Sequence, residues 1–80
     1  MPNAADIARD EWLAEQDRWI VAEQELRIFE RSLAGQDVLR EEQVDRSASL
    51  RRTRDGARAR CDDAEARYEI AKQKHQPPRP

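Results

Sequence analysis

The chain has 80 residues, of which 40% are charged and 5% are aromatic, and its formal net charge is -2 at pH 7. A chain of this length forms one domain at most, and its small core usually needs support from disulfides, metals or association. A single cysteine excludes an intrachain disulfide, and Cys61 and His75 are too far apart in sequence to indicate a metal site. The abundance of Ala, Glu, Arg and Leu is typical of long helices and coiled coils.

The first predicted helix occupies residues 4–34, after an N-terminal cap at residues 1–3. Asn3 can accept hydrogen bonds from the first turn, and Asp6 places an acid at the positive end of the helix dipole. No glycine or proline interrupts the segment. Gly35 follows it, at the position where a left-handed residue commonly ends a helix. The pattern therefore predicts one unbroken helix.

The second predicted helix occupies residues 38–74, after a turn at residues 35–37 in which Asp37 is the expected cap. Gly56 disfavours helix within this segment, at a cost of about 1 kcal/mol relative to alanine. The apolar repeat crosses Gly56 without a change of phase, which favours one continuous helix over two. The prolines of residues 76–80 cannot continue the helix, and a disordered tail is expected there.

Both segments carry a seven-residue apolar repeat, the pattern of a coiled coil, although Glu15 interrupts one position. The short turn predicts an all-α fold, an antiparallel two-helix coiled-coil hairpin. Bulky side chains of the first helix would then face small ones of the second, with Trp12 near residues 57–59. The residues predicted to form the hairpin core are Trp12, Trp19, Leu26, Phe29, Leu33, Leu50, Ala57, Cys61, Ala64 and Tyr68.

The first helix has further apolar residues on a different side from its tryptophans. We call them the outer stripe: Leu13, Ile20, Val21 and Ile28. A helix in a two-helix hairpin needs only one apolar stripe, so this surplus predicts an intermolecular surface. A second copy is the simplest partner, and it would complete a four-helix bundle as a homodimer. A different protein is the alternative partner, and scattered exposure of apolar residues is the ordinary explanation.

A run of arginines marks the second helix and admits two interpretations. Arg51, Arg54 and Arg58 share one sector of the helix and could follow a phosphate backbone. The acidic excess of residues 1–45 and the sequence pI of about 5.4 favour pairing with the first helix instead. No aromatic residue lies among the arginines to stack on bases. A nucleic-acid-binding regulator is therefore the alternative function.

The sequence predicts no catalytic residue, no metal ligand and no cofactor. His75 precedes the proline-rich tail, where no rigid neighbours would hold it. Adjacent carboxylates such as Asp62 and Asp63 diverge by about 100° on a helix. No phosphate-binding loop or nucleophile motif is present in the sequence. We therefore expect a protein that is not an enzyme.

The expected function is a small protein-interaction module, which acts as an adaptor, chaperone or inhibitor by presenting helical faces to a protein partner. The longest bulky apolar run, residues 19–22, is too short to cross a membrane. This predicts a cytoplasmic protein without a membrane partner. The excess of arginine over lysine is typical of GC-rich bacterial genomes.

Overall fold

The computed structural model describes residues 3–75, and within them the chain forms two α-helices and no strand. Helix α1 spans Ala4–Ser32 and helix α2 spans Glu41–His75. The two helices pack against each other in opposite directions, so the all-α hairpin predicted from the sequence is confirmed. The predicted proline-rich tail lies outside the described residues.

Helix α1 begins with a reciprocal cap formed by Asn3 and Asp6. The side-chain oxygen of Asn3 accepts a hydrogen bond from the Asp6 backbone N–H at 2.9 Å. The Asp6 carboxylate accepts one from the Asn3 backbone N–H at 3.4 Å. Such caps satisfy N–H groups that have no partner within the helix, and a cap residue typically contributes about 1 kcal/mol.

The first helix ends two residues earlier than the sequence predicted. Ser32 is its last residue and Leu33 is its C-cap, whereas the repeat indicated helix to Ala34. Gly35 has a φ of 87°, a conformation that side-chain-bearing residues adopt rarely. Glycine therefore follows the helix end, as its place in the sequence indicated.

The second helix begins at Glu41, three residues later than predicted. Arg40 precedes it, and its carbonyl accepts hydrogen bonds from the backbone N–H groups of Gln43 and Val44. The Gln43 side chain accepts a hydrogen bond from the Arg40 backbone N–H at 2.9 Å. The Arg40 carbonyl in turn accepts one from the Gln43 backbone N–H at 3.0 Å. Arginine is not a preferred cap residue whereas aspartate is, so residue preference alone indicated Asp37.

The longer connection shifts the pairing of the two helices. Trp12 lies against Tyr68, with ring centroids 5.6 Å apart, instead of beside residues 57–59. Each position of α1 therefore faces a position further along α2 than the sequence predicted. The observed alignment is the one in which the Trp12 and Tyr68 rings pack together and Glu15 pairs with Arg60 across the helices.

The contact between the helices consists mainly of small side chains. The buried residues are Ala8, Ala22, Leu26, Leu50, Ala57, Cys61 and Ala64. Among the predicted core residues, the half-buried ones are Trp12, Trp19, Phe29, Leu33 and Tyr68. Two helices cannot enclose a large ring on every side, so the rings cover the edges of the contact. Helix α2 runs through Gly56 without a break, as the phase of its apolar repeat predicted.

Candidate functional site

The outer stripe lies on the side of α1 that points away from α2. Its four side chains, Leu13, Ile20, Val21 and Ile28, have exposed fractions between 43% and 68%. Ala22 and Leu26 on the same helix are buried against α2. At about 100° per residue, Leu13 and Ile20 occupy one flank of the outward face, whereas Val21 and Ile28 occupy the other. The hairpin therefore buries one apolar side of α1 and leaves two aliphatic flanks uncovered, which are separated by a row of exposed polar residues.

The Val21 flank of the stripe extends to Ile7, which the sequence also places near it. Ile7 and Ala14 precede Val21 and Ile28 at the same seven-residue spacing, and Ile7 is half exposed. Residues seven apart lie almost in line along a helix, so these four form one row. The small side chain of Ala14 is the weakest apolar position of this row.

Two shallow grooves connect the stripe with the contact between the helices. One groove, of about 360 Å³, is lined by Glu25, Ile28, Phe29, Ser32, Arg46 and Leu50. The other, of about 320 Å³, is lined by Asp17, Arg18, Val21, Ala22, Glu25 and Thr53. Ile28 and Val21 each form one wall of a groove. A partner side chain could insert beside either residue and contact both helices.

Each arginine of the alternative hypothesis contacts another side chain of the hairpin. The contacts are Arg51 with Glu30 at 3.5 Å, Arg54 with Asp55 at 3.0 Å, and Arg58 over the Trp19 ring at 5.7 Å from its centroid. The first joins the two helices, as the opposite charges of the two segments predicted. The third is a cation–π contact with a half-buried tryptophan. A phosphate group at these side chains would have to compete with these contacts.

Glu15 has a structural role that the sequence analysis did not assign. It interrupts the apolar repeat of α1, and its side chain is only 16% exposed. Its carboxylate lies 2.7 Å from Arg18 on the same helix and 3.5 Å from Arg60 on α2. A partly buried carboxylate needs such partners, and the pair with Arg60 also favours one alignment of the helices. A charged residue at a core position of the repeat was the available signal.

Cys61 is a buried thiol in the contact between the helices. Burial raises the pKa of this thiol above its ordinary value of 9.0, and a hydrogen bond with the Trp12 side chain partly opposes that effect. The thiol is therefore protonated at neutral pH, and protonated thiols are poor nucleophiles. Its position fits a small apolar residue of the core.

The described residues offer neither a cluster of metal ligands nor a helix that could span a membrane. Residues 3–75 contain no group of three or more His, Cys, Asp or Glu side chains placed to hold a metal ion. His75 ends α2, and its side chain lies outside the described part of the structure. Neither described helix is both long and apolar enough to cross a membrane. Comparison of the chain with protein-family models, with curated proteins and with solved structures found no match.

Proposed function

We propose that this protein is a small non-enzymatic interaction module that presents the outward face of α1 to a protein partner, as an adaptor, chaperone or inhibitor. The outer stripe is the observation that carries this proposal. Its four aliphatic side chains are substantially exposed on a helix whose opposite side already packs against α2. Exposed aliphatic side chains grouped on one face of a helix commonly mark a contact site.

The composition of the hairpin core supports a second copy as one partner. Leu26 and Leu50 are the only large aliphatic side chains among the buried residues of the described chain. A core built mostly from alanine removes little apolar area from water and stabilises a short chain weakly. Association through the outer stripe would add the aliphatic burial that each hairpin lacks, in a four-helix assembly.

Contact with nucleic acid has weaker support than contact with protein. The three arginines that would carry it each have a partner within the hairpin, as described above. The chain also has a net negative charge, which repels a polyanion at long range. The outer stripe, by contrast, has no partner among the described residues.

The test is to replace two residues of the stripe, Ile20→Asp and Ile28→Asp, in one chain. Light scattering behind a sizing column would give the mass, and far-ultraviolet circular dichroism would give the helix content. The expected wild-type mass is about twice the chain mass of 9.4 kDa. Loss of two buried isoleucines, at about 1.5–3 kcal/mol each, should weaken association by a hundredfold or more while leaving the hairpin helical.

The matched control is a chain with Val44→Asp and Ile70→Asp. These two residues of α2 are 50% and 53% exposed, close to the stripe residues in exposure, but they lie on the other helix. The control should retain the wild-type mass. An unchanged mass for the stripe variant would show that the stripe is not the contact. Dissociation of both variants would show that added charge alone separates the chains.

A further inference from the structure

The outward face of α1 has opposite charges at its two ends. One row of residues at seven-residue spacing runs along the middle of this face, and all its members are exposed: Asp10, Asp17, Gln24 and Arg31. The row is acidic in the N-terminal half of the helix and ends in a base. Beside the row, Arg9 and Arg27 share one angle of the helix, and Arg9 pairs with Asp6 at 3.9 Å, so the row itself carries the polarity of the face. A face with this polarity is complementary to a reversed copy of itself.

The aliphatic residues of the face are also self-complementary when one copy is reversed. With a twofold axis between Ile20 and Val21, the residue pairs between copies are Leu13–Ile28, Ile20–Val21, Asp10–Arg31 and Asp17–Gln24. Twofold symmetry forms each pair twice. The pair at the axis, Ile20–Val21, is aliphatic, the polar pair Asp17–Gln24 comes next, and Leu13–Ile28 lies beyond it. The outermost pair joins opposite charges, and none of the four pairs joins like charges. At 1.5 Å per residue, Asp10 and Arg31 are separated by about 30 Å, so the contact would extend along most of α1.

The charges at the ends of this face are available to a second chain. Asp10 has a side chain that is 71% exposed, and its ion-pair partner within residues 3–75 is its neighbour Arg9, at 3.7 Å. Asp17 and Arg31 form no ion pair with another described residue. Pairing across the dimer would therefore displace little that the hairpin already has.

We infer that the chain associates with a second copy through the outward faces of two antiparallel α1 helices, with Asp10 of each copy beside Arg31 of the other. This inference rests on the proposed interaction function and names both the partner and the alignment. The two α1 helices form the centre of the assembly, and each α2 lies on the outside. Complementary charge would select the antiparallel alignment, and the aliphatic residues would supply most of the affinity.

Charge reversal tests the Asp10–Arg31 pairing. Asp10→Arg and Arg31→Asp would be prepared singly and together, and the dimer dissociation constant would be measured by sedimentation equilibrium at low salt. Each single variant replaces two opposite-charge contacts per dimer with two like-charge contacts. An exposed ion pair contributes about 0.2–1 kcal/mol, and the new repulsion is similar in size, so association should weaken about tenfold. The combined variant restores both opposite-charge contacts and should return to within about threefold of the wild type.

Cysteine crosslinking tests the alignment independently. In a Cys61→Ala background, one chain would carry Asp17→Cys and another Gln24→Cys, and the mixture would be oxidised gently. The proposed alignment places residue 17 of one copy opposite residue 24 of the other. Two copies of the same variant place their cysteines seven residues apart along the axis, about 10 Å, which exceeds disulfide reach. The disulfide should therefore form between the two variants and not within either alone.

The outcomes separate this inference from the proposed function. A wild-type monomer that binds no second copy would overturn the inference and leave the stripe as a surface for a different protein. The Ile20→Asp and Ile28→Asp variant could dissociate the dimer while the combined charge reversal associates no better than the single charge variants. That result would support the stripe as the contact and overturn this alignment. Equal crosslinking within and between the cysteine variants would also overturn it. Unchanged helix content in each variant, by circular dichroism, keeps these results distinct from misfolding.

Discussion

Replacing Gly56 with alanine should stabilise the hairpin, although Asp55-Gly56 is a turn signal in sequence. Helix α2 is continuous at this position. An added Cβ would meet the end of the Arg60 side chain at 3.5 Å, an ordinary van der Waals contact with a flexible group. Alanine loses less backbone freedom on folding, so the free energy of unfolding should rise by about 1 kcal/mol. For a domain of this size the midpoint of thermal unfolding should then rise by about 4–8 °C.

Gly35→Ala is the matched control, because it adds the same methyl group with the opposite expected sign. Nothing lies within 4 Å of a Cβ at Gly35, so packing cannot account for any loss. The φ of 87° is a left-handed conformation that costs an alanine about 1–2 kcal/mol. Urea unfolding followed by circular dichroism, at one chain concentration, would compare both variants with the wild type. A Gly56→Ala variant that is less stable than the wild type would refute a continuous helix at that position.

Two further predictions concern the contact between the helices. Glu15→Leu should raise the free energy of unfolding, measured in urea, by about 1–3 kcal/mol, because an apolar residue replaces a partly buried ion pair. Arg60→Ala removes one partner of that pair and should lower the free energy of unfolding. A loss of stability in the leucine variant would contradict this reasoning. The Cys61 thiol should react slowly with a thiol reagent in the folded chain and rapidly in urea. Its folded-state pKa is above 9.0, so the neutral thiol favours the folded state, and stability should fall as the pH rises above that value. Cys61→Ala should remove that part of the pH dependence, and an equal loss in the alanine variant would assign it to other groups.

The helices and their antiparallel pairing could be predicted because the determinants are local and repetitive. Seven-residue spacing marks the side of each helix that is buried, and Gly35 marks the end of the first helix. Continuity at Gly56 followed from the phase of residues on either side. These signals depend only on the order of residues along the chain, so they can be identified from the sequence.

The start of α2 could not be predicted in the same way, because two caps competed. Asp37 is the better cap by residue type, but Gln43 and Arg40 complete a reciprocal pair of hydrogen bonds further along. The pairing of the helices depends in addition on contacts between side chains that are far apart in sequence. Packing of Trp12 against Tyr68 is one such contact. Residue preferences therefore predicted the position of the turn but not the alignment of α2 with α1.

The outer stripe could be found from sequence, whereas its occupant depends on groups beyond one hairpin. The position of Ile20 relative to Trp19 shows that one partner helix cannot cover both. The order of Asp10 and Arg31 along the same face is equally present in the sequence, but it acquires meaning only when the outward face is known. Burial against α2 defines that face.

Folding and association of this chain should be linked, because the hairpin core is small. A partner that covers the outer stripe binds the folded hairpin and not the unfolded chain, so it shifts the unfolding equilibrium. If a second copy is that partner, each tenfold increase in protein concentration should stabilise the folded dimer by about 1.4 kcal/mol against unfolded chains. The thermal midpoint should therefore rise with concentration. Differential scanning calorimetry over a range of concentrations would measure this shift.

The variants already described make the linkage specific to the stripe. Ile20→Asp with Ile28→Asp should make the midpoint independent of concentration, whereas Val44→Asp with Ile70→Asp should leave the dependence intact. A wild-type midpoint that does not change with concentration would mean that the hairpin folds without self-association. The stabilising effect of a covered stripe would then appear only when a different protein binds it.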